Sequence, residues 1–486
     1  MIRTGLAFFF SAVCLSLTGC PGGGDVTVGG GGGAMPGSGT VVYLADQTTI
    51  GVFELYLATS GTKLNPPLGP GRTVTSFALT PDATAVIYIA DQDLDDVFEL
   101  YRVNLANPGL STKLNPAFVA GSGKDVVEFA VTPDNTSVVY IADQTIDDVF
   151  ELYRTVLATL VNSKLNPAYV AGQDVETFVV LPNSTGVIYR ADQDTDGVSE
   201  LYRVLFATAP VTDRLVAPPL GVGQNVGAFA ATPDSANVIY IANRPLVSDP
   251  NQLFIVPAGG GGNIQLNGVL QASGDVTGFT VMPNGLSVVY RADQDTDEVF
   301  ELYSVTLAAP GNSTKLNGPL ANCVPGPGVC GDVTSFGVIP DSSGVVYIAD
   351  QTTDEVFELF RTVFSGGNFQ LNPPFLGFED VMDFVLFPNG AGVVYRADQT
   401  TDGVNEIYRA VFGFPGAPRL NPALIIGQNV STYAVAPDSN SAIYRANQDN
   451  PAIIELYRTM FSSLGTSTKL NTPLVVGENV ADFDVR

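Results

Sequence analysis

An Ala-Asp or Ala-Asn landmark at the end of a Tyr-x-Ala run recurs nine times along this chain, with its acid or amide at Asp46, Asp91, Asp143, Asp192, Asn243, Asp293, Asp350, Asp398 and Asn447. Successive spacings are 45, 52, 49, 51, 50, 57, 48 and 49 residues. A repeat of this length is one supersecondary unit that cannot bury its apolar face alone, so neighbouring units must stack. One unit runs Val126-Val127-Glu128-Phe129-Ala130-Val131, Val138-Val139-Tyr140-Ile141-Ala142-Asp143, Val149-Phe150-Glu151-Leu152-Tyr153-Arg154 and Ser163-Lys164-Leu165-Asn166-Pro167. These four short runs are rich in Val, Ile, Tyr and Phe, are separated by Pro-Asp, Asp-Gly or Asn-Pro turns, and show no helical period. The second run is apolar on both faces, as a strand sandwiched between neighbouring sheets should be. The fourth is short and polar, as an outer edge should be.

Four-stranded sheets at this period predict an all-β fold, a single β-propeller. The first unit starts at its second run, Val41-Val42-Tyr43-Leu44, and Val480 to Val485 is a first run with nothing after it. The C-terminal strand is therefore expected to complete the first blade and close a ring of nine four-stranded blades over 40–486. Propellers usually have about four to eight blades; nine is expected here because both ways of counting agree.

The repeat Thr80-Pro81-Asp82, Val86-Ile87-Tyr88, Asp91, Glu99-Leu100-Tyr101 resembles the Ser-Pro-Asp-Gly … Glu-Ile-Tyr repeat of TolB-like propellers, which are WD-like in architecture. Lys113-Leu114-Asn115 stands where those repeats carry Lys/Arg-Leu-Thr. The resemblance implies the fold and does not carry over partners.

The N-terminal residues 1–19 read as a secretory signal, with Arg3 ahead of the mostly apolar run Leu6 to Leu17, too short to span a membrane. Leu17-Thr18-Gly19-Cys20 resembles the lipobox of bacterial lipoproteins, which implies cleavage before Cys20 and lipidation of it. Residues 20–39, half of them Gly, are expected to form a flexible tether after the lipidated Cys20. The expected location is the bacterial cell envelope, with outer-membrane sorting on the periplasmic face or cell surface. Cys14 leaves with the signal, and export makes a loop disulfide between Cys323 and Cys330 the expected state.

Composition narrows the chemistry. With 22 Lys+Arg against 49 Asp+Glu, the net charge is −27, and there is no His. Absent His excludes a Ser-His-Asp site and His-ligated zinc. The acidic surplus argues against nucleic acid as a partner, and leaves the lipid anchor as the only expected membrane contact.

The hairpin after each second run is the densest chemistry. Its sharpest copy, Asp192-Gln193-Asp194-Thr195-Asp196-Gly197-Val198-Ser199-Glu200, resembles the calcium loops of EF-hands and integrin α-subunit propellers. Asp192, Asp194, Asp196 and Glu200 are thus expected calcium ligands. Asp91, Asp93, Asp95 and Glu99, and likewise Asp293, Asp295, Asp297 and Glu301, form weaker copies. The competing reading is that the Asp residues accept turn N–H groups and the Glu pairs with a nearby cation. Asp125, Asp174, Asp275, Asp332 and Asp380, with Asn225, Asn429 and Asn479, precede the first runs and would ring one channel mouth. The Arg residues at 190, 291, 396 and 445, in middle strands, are expected to pair with acids of an adjacent blade.

The function expected from these features is a lipid-anchored, non-catalytic binding or scaffold propeller, monomeric, whose partner is an envelope protein or glycan. Alternatives are a calcium-dependent adhesin and a propeller enzyme, a lyase or hydrolase using channel-mouth carboxylates.

Overall fold

A computed structural model of the chain describes residues 39–244, 250–321, 331–375 and 377–486. The expected signal at 1–19, Cys20, nearly all of the tether, Cys323 and Cys330 lie outside the described residues.

Every regular element among the described residues is a strand, and the strands form nine antiparallel sheets around a ring. The second blade shows the pattern: inner strand Val74–Leu79, then Ala85–Ala90, Glu99–Asn104 and the outer Ser111–Lys113. Eight sheets have four strands. The eighth blade has three, Val381–Leu386, Gly392–Ala397 and Glu406–Val411, and its outer strand is reduced to a bridge between Tyr408 and Arg419. Pro415 and Pro418 explain the loss, because neither can donate to a ladder.

The first blade is completed from the other end of the chain. Val480–Val485 pairs antiparallel with Val41–Ala45, matching Val41 to Val485 and Tyr43 to Phe483. Arg486 N–H adds a bond to Thr40 O at 3.0 Å. The split unit is thus the ring closure, which removes two sheet edges.

Packing follows from the patterning. Second strands such as Ala85–Ala90 and Ser137–Ala142 are buried at every residue, as the two-faced apolar runs require. Nine apolar clusters hold the ring, each drawing on two adjacent blades; one unites Ile87, Leu100 and Leu114 with Val126, Val138 and Tyr140. Within each blade a second-strand Tyr stacks on the third-strand aromatic opposite it, as Tyr88 does on Tyr101 at 5.4 Å.

If the closing strand carries this much of the ring, removing residues 480–486 should lower the thermal midpoint by on the order of 10 °C and broaden the transition. Circular dichroism melts of the two forms check this; an unchanged midpoint would mean that blade 1 is held without its inner strand.

Candidate functional site

The repeated Asp at the end of each second strand is spent on backbone. Its Oδ1 accepts the N–H at the entry to its own blade's inner strand: Thr73 to Asp91, Asp125 to Asp143, Asp174 to Asp192, Asp380 to Asp398 and Asn479 to Asp46, at 2.6–2.7 Å. Its Oδ2 accepts an N–H five residues on, as from Gly197 to Asp192 at 3.0 Å. That fifth position is left-handed in every such loop, with φ +72° at Gly197 and +59° at Glu298. Gly adopts this at no cost, while Glu298 is strained there.

The mouth residues continue the stitching. Asp125, Asp174, Asp332 and Asp380 each accept the N–H of a Phe in the preceding blade (Phe98, Phe150, Phe300, Phe357) at 2.6–2.8 Å. Asn225, Asn429 and Asn479 do the same for Ser199, Asn405 and Ile454, and Asp275 for Asn251. Burial raises the carboxyls of Asp125, Asp174, Asp332 and Asp380 above the usual Asp range, with neighbouring acids adding to it. The side chains expected at the mouth are there, and they act as joints between blades.

The carboxylates expected to cage calcium diverge. Asp192 reaches back to the inner strand, whereas Glu200 points outward and accepts Leu220 N–H at 2.9 Å. Asp194 pairs with Arg214 at 3.0 Å, and Asp196 is exposed. In the weaker copies Lys113 takes both Asp93, at 2.9 Å, and Glu99, while Lys315 takes Asp295 at 2.8 Å and Glu301 at 2.6 Å. Asp91 and Asp293 are held by backbone, while Asp95 and Asp297 are exposed. The outer-strand Lys or Arg therefore stands where the cation was expected, fourteen residues after the Glu. Among the described residues no group of three or more His, Cys, Asp or Glu is placed to hold a metal ion. The donor sets do not fit calcium.

The buried Glu responds to that cation. Glu54 has Lys63 at 2.5 Å; burial alone would raise its carboxyl, but bonds from Lys63, Leu68 N–H and Thr48 outweigh this and lower it. In the seventh blade Gln370 replaces the Lys, and burial keeps Glu358 above the usual range. The fifth blade replaces both, with Gln252 and Gln265 at the two positions. There Arg244 takes over the local polar contacts, donating to Tyr240 Oη at 2.8 Å and Asn263 Oδ1 at 3.0 Å.

The inner strands carry a different kind of acid, which the repeat hides. At their second and third positions most blades have small or neutral residues, such as Thr75-Ser76 and Thr334-Ser335. Blades 3 and 4 instead carry Glu128 and Glu176. Thr177 Oγ1 donates to Glu128 Oε1 at 3.3 Å across the blade interface. Arg190 donates to Glu176 at 2.6 Å, and Ser199 Oγ bonds the other Glu176 oxygen. Arg190 also donates to Gly227 O of the fifth blade at 2.7 Å. Burial pushes Glu128 up to about 7, against the pull of Thr177 and Arg190. This cluster spans three blades and has no copy in full. The eighth blade has a partial analogue, where Asp383 accepts from Arg396 at 2.5 Å and from Tyr433 Oη at 2.8 Å.

These contacts correct the reading of the arginines. Arg190 and Arg396 pair with acids of their own blade and bind carbonyls of the next. The reason is register: Thr177 faces Arg190 and Asp383 faces Arg396 across one ladder. Arg291 bonds Thr277 and Val333 O and stacks on Phe300 at 4.2 Å. Arg445 lies beside Asp482 of the adjacent first blade, as expected. Glu128 stands outside the repeat, and its signal in the sequence is the column in which the units differ.

No family model matches this chain, and no curated protein matches it. Solved structures do. An oligogalacturonate lyase in complex with manganese is 15% identical, with a TM-score of 0.43, over 77% of this chain and 98% of that one. The oligogalacturonate lyase of Vibrio parahaemolyticus is 14% identical, with a TM-score of 0.43 and the same coverage of each chain, 77% and 98%. Prolyl oligopeptidase B of Galerina marginata is 13% identical, with a TM-score of 0.46; the match covers 77% of this chain and 55% of that one. The chain thus spans about half the length of the oligopeptidase. At these identities the likeness speaks for the fold alone. The non-catalytic scaffold expected from the sequence is not what these neighbours are: each carries the name of an enzyme.

Replacing Lys63 with Gln should give Glu54 the surroundings of Glu358. Glu54 now has a lowered carboxyl, which adds stability above the unfolded pKa and loses it as pH falls. Without Lys63 its carboxyl should rise, so stability is lost as pH rises instead. The variant should be destabilised by about 2 kcal/mol at neutral pH and by much less near pH 4. Adding Glu54→Gln, the fifth-blade solution, should restore most of it. Urea denaturation at both pH values measures this.

Proposed function

We propose that this chain is a propeller enzyme of the lyase or hydrolase class, with Glu128 as its proton-transfer group. The observation that carries the reading is the unrepeated cluster of Glu128, Glu176 and Thr177 on adjacent inner strands with Arg190 of the second strand and Ser199 of the hairpin after it. Both reaction classes need a side chain that takes and returns a proton near neutral pH, and a half-buried carboxyl near 7 suits that task. Thr177 orients Glu128, and Arg190 supplies fixed positive charge beside developing negative charge. The mouth aspartates are set aside for this role because backbone N–H groups already occupy them.

The same proposal takes the chain to be exported and tethered by lipid at Cys20, with a TolB-like propeller as the folded body. Support for the anchor is the Leu17-Thr18-Gly19-Cys20 motif and the Gly-rich segment after it. An envelope glycan or protein is the proposed substrate, acted on outside the cell membrane.

The test is a substrate screen with paired variants. Polyuronates would be followed by ultraviolet absorbance of an unsaturated product, neutral glycans by reducing ends, and peptides by new amines. Any activity found should fall by about 10²–10⁴-fold in Glu128→Gln, and its pH profile should lose an inflection near 7. Activity unchanged in Glu128→Gln would overturn the assignment. A structural readout goes with it. Glu128 holds its proton to higher pH in the folded chain than in the unfolded one, so stability falls as pH rises from about 4.5 to about 7. Glu128→Gln should remove that loss, gaining on the order of 2 kcal/mol at pH 8 and little at pH 4.

A further inference from the structure

The end of the ring that carries the second-to-third-strand hairpins is not uniform. Six of the nine hairpins expose acids that form no salt bridge among the described residues, including Asp95 and Asp96 in the second blade and Asp402 in the eighth. The hairpins of the first and ninth blades break this pattern. The first is Thr48-Thr49-Ile50-Gly51, and in the ninth Asp449 is neutralised by Lys469 at 3.0 Å.

In this sector no hairpin exposes an unpaired acid, and the aliphatic side chains of the crossover loops stand beside Glu478, which accepts Val475 N–H at 3.0 Å. The crossover loops each bury one large residue, Leu424 and Leu474 here, and then expose two: Ile425 is 66% exposed, Ile426 83%, Val475 60% and Val476 67%. Ile50 is 61% exposed and packs beside Gly477, where a Cβ would come within 3.1 Å of Ile50 Cδ1. Asn447 ties the two loops of the ninth blade together by donating to Gly427 O and Pro451 O, each at 3.0 Å. Exposed Pro451 thus stands across Asn447 from Gly427, the residue that follows Ile425 and Ile426. Single exposed aliphatics are ordinary, as at Val170; Val475 and Val476 with Ile50 on the adjoining hairpin form a set, with Ile425 and Ile426 on the preceding crossover loop, and a set of this kind marks an interaction surface.

We infer that this sector is the docking surface for a protein that presents apolar side chains ringed by Lys and Arg. The occupant follows from charge. A second copy of this chain would set Asp95, Asp96 and Asp402 against their own equivalents, and an anionic membrane would meet the same repulsion. A basic rim around an apolar centre is complementary on both counts. The patch also faces away from where the N-terminal segment joins: Gly39 meets the turn at Pro437, at the opposite end of the strands. This inference rests on a different region from Glu128 and does not depend on catalysis.

The probe is a fluorescein-labelled amphipathic helix of Leu and Lys, titrated into the full chain and followed by anisotropy. Ile426→Ser with Val475→Ser and Val476→Ser should weaken binding by about tenfold or more. Asp95→Asn with Asp96→Asn and Asp402→Asn should weaken it about threefold in about 50 mM salt and not in about 500 mM. Val119→Ser with Val170→Ser, equally exposed but on the crossover loops into the third and fourth blades, should leave it unchanged. Thermal melts confirm that each variant is folded. Equal binding by the aliphatic variant and the parent, or an equal loss in the Val119 and Val170 control, would overturn the inference. So would a dimer in sedimentation velocity that the aliphatic variant abolishes, or co-sedimentation with phosphatidylglycerol vesicles; these would assign the face to a second copy or to lipid.

Discussion

The antiparallel pairing of Val480–Val485 with Val41–Ala45 is the constraint on which the ring rests. Each blade buries its second strand only because a neighbour covers both faces, and in a closed ring every blade has two neighbours. The pairing also sets the joint with the second blade, where Leu79 N–H donates to Asp484 Oδ2 at 2.8 Å, and the joint with the ninth, through Asn479 and Asp46. Without it, the first blade would keep three strands with a bare inner edge, and its joints with both neighbours would lose Val480, Ala481, Phe483 and Val485.

Given that closure, most of the repeated polar residues are committed to architecture. The landmark Asp and the mouth Asp or Asn pass backbone N–H groups from one blade to the next. The buried Glu spans the outer-strand cation and the crossover loop, and the Asn of Leu-Asn-Pro accepts a third-strand N–H, as Asn115 does from Leu100 at 2.8 Å. A buried carboxylate is tolerated when its lone pairs are filled and its charge is offset. Blades that vary the pair, such as the fifth with Gln252 and Gln265, show that neutralising both members is an equivalent solution.

What remains for function is what the repeat does not use. Two regions stand out, and they are separate. One is on the inner strands, where Glu128 and Glu176 stand among mostly small residues, next to the second-strand Arg190, and bring a proton-transfer group near neutrality. The other is the hairpin end of the first and ninth blades, where loss of the hairpin acids leaves a sector of exposed aliphatics. Both are departures from repetition, as differentiated functions on a repeated scaffold must be.

The sequence by itself determined the period, the strand type, the split first unit and hence nine blades, because apolar alternation and turn chemistry are local. Asp192-Gln193-Asp194-Thr195-Asp196 also announced a turn rich in carboxylates. Where those carboxylates point was settled only by tertiary structure. The partner of Asp192 is the N–H of Asp174, eighteen residues earlier, and the cation of Glu99 is Lys113, fourteen residues later; strand pairing brings both into reach. Glu128 and Thr177 are 49 residues apart and meet only because their strands lie side by side around the axis. Local pattern fixes which elements form, whereas the charge state and task of a buried carboxyl depend on neighbours that only the closed ring supplies.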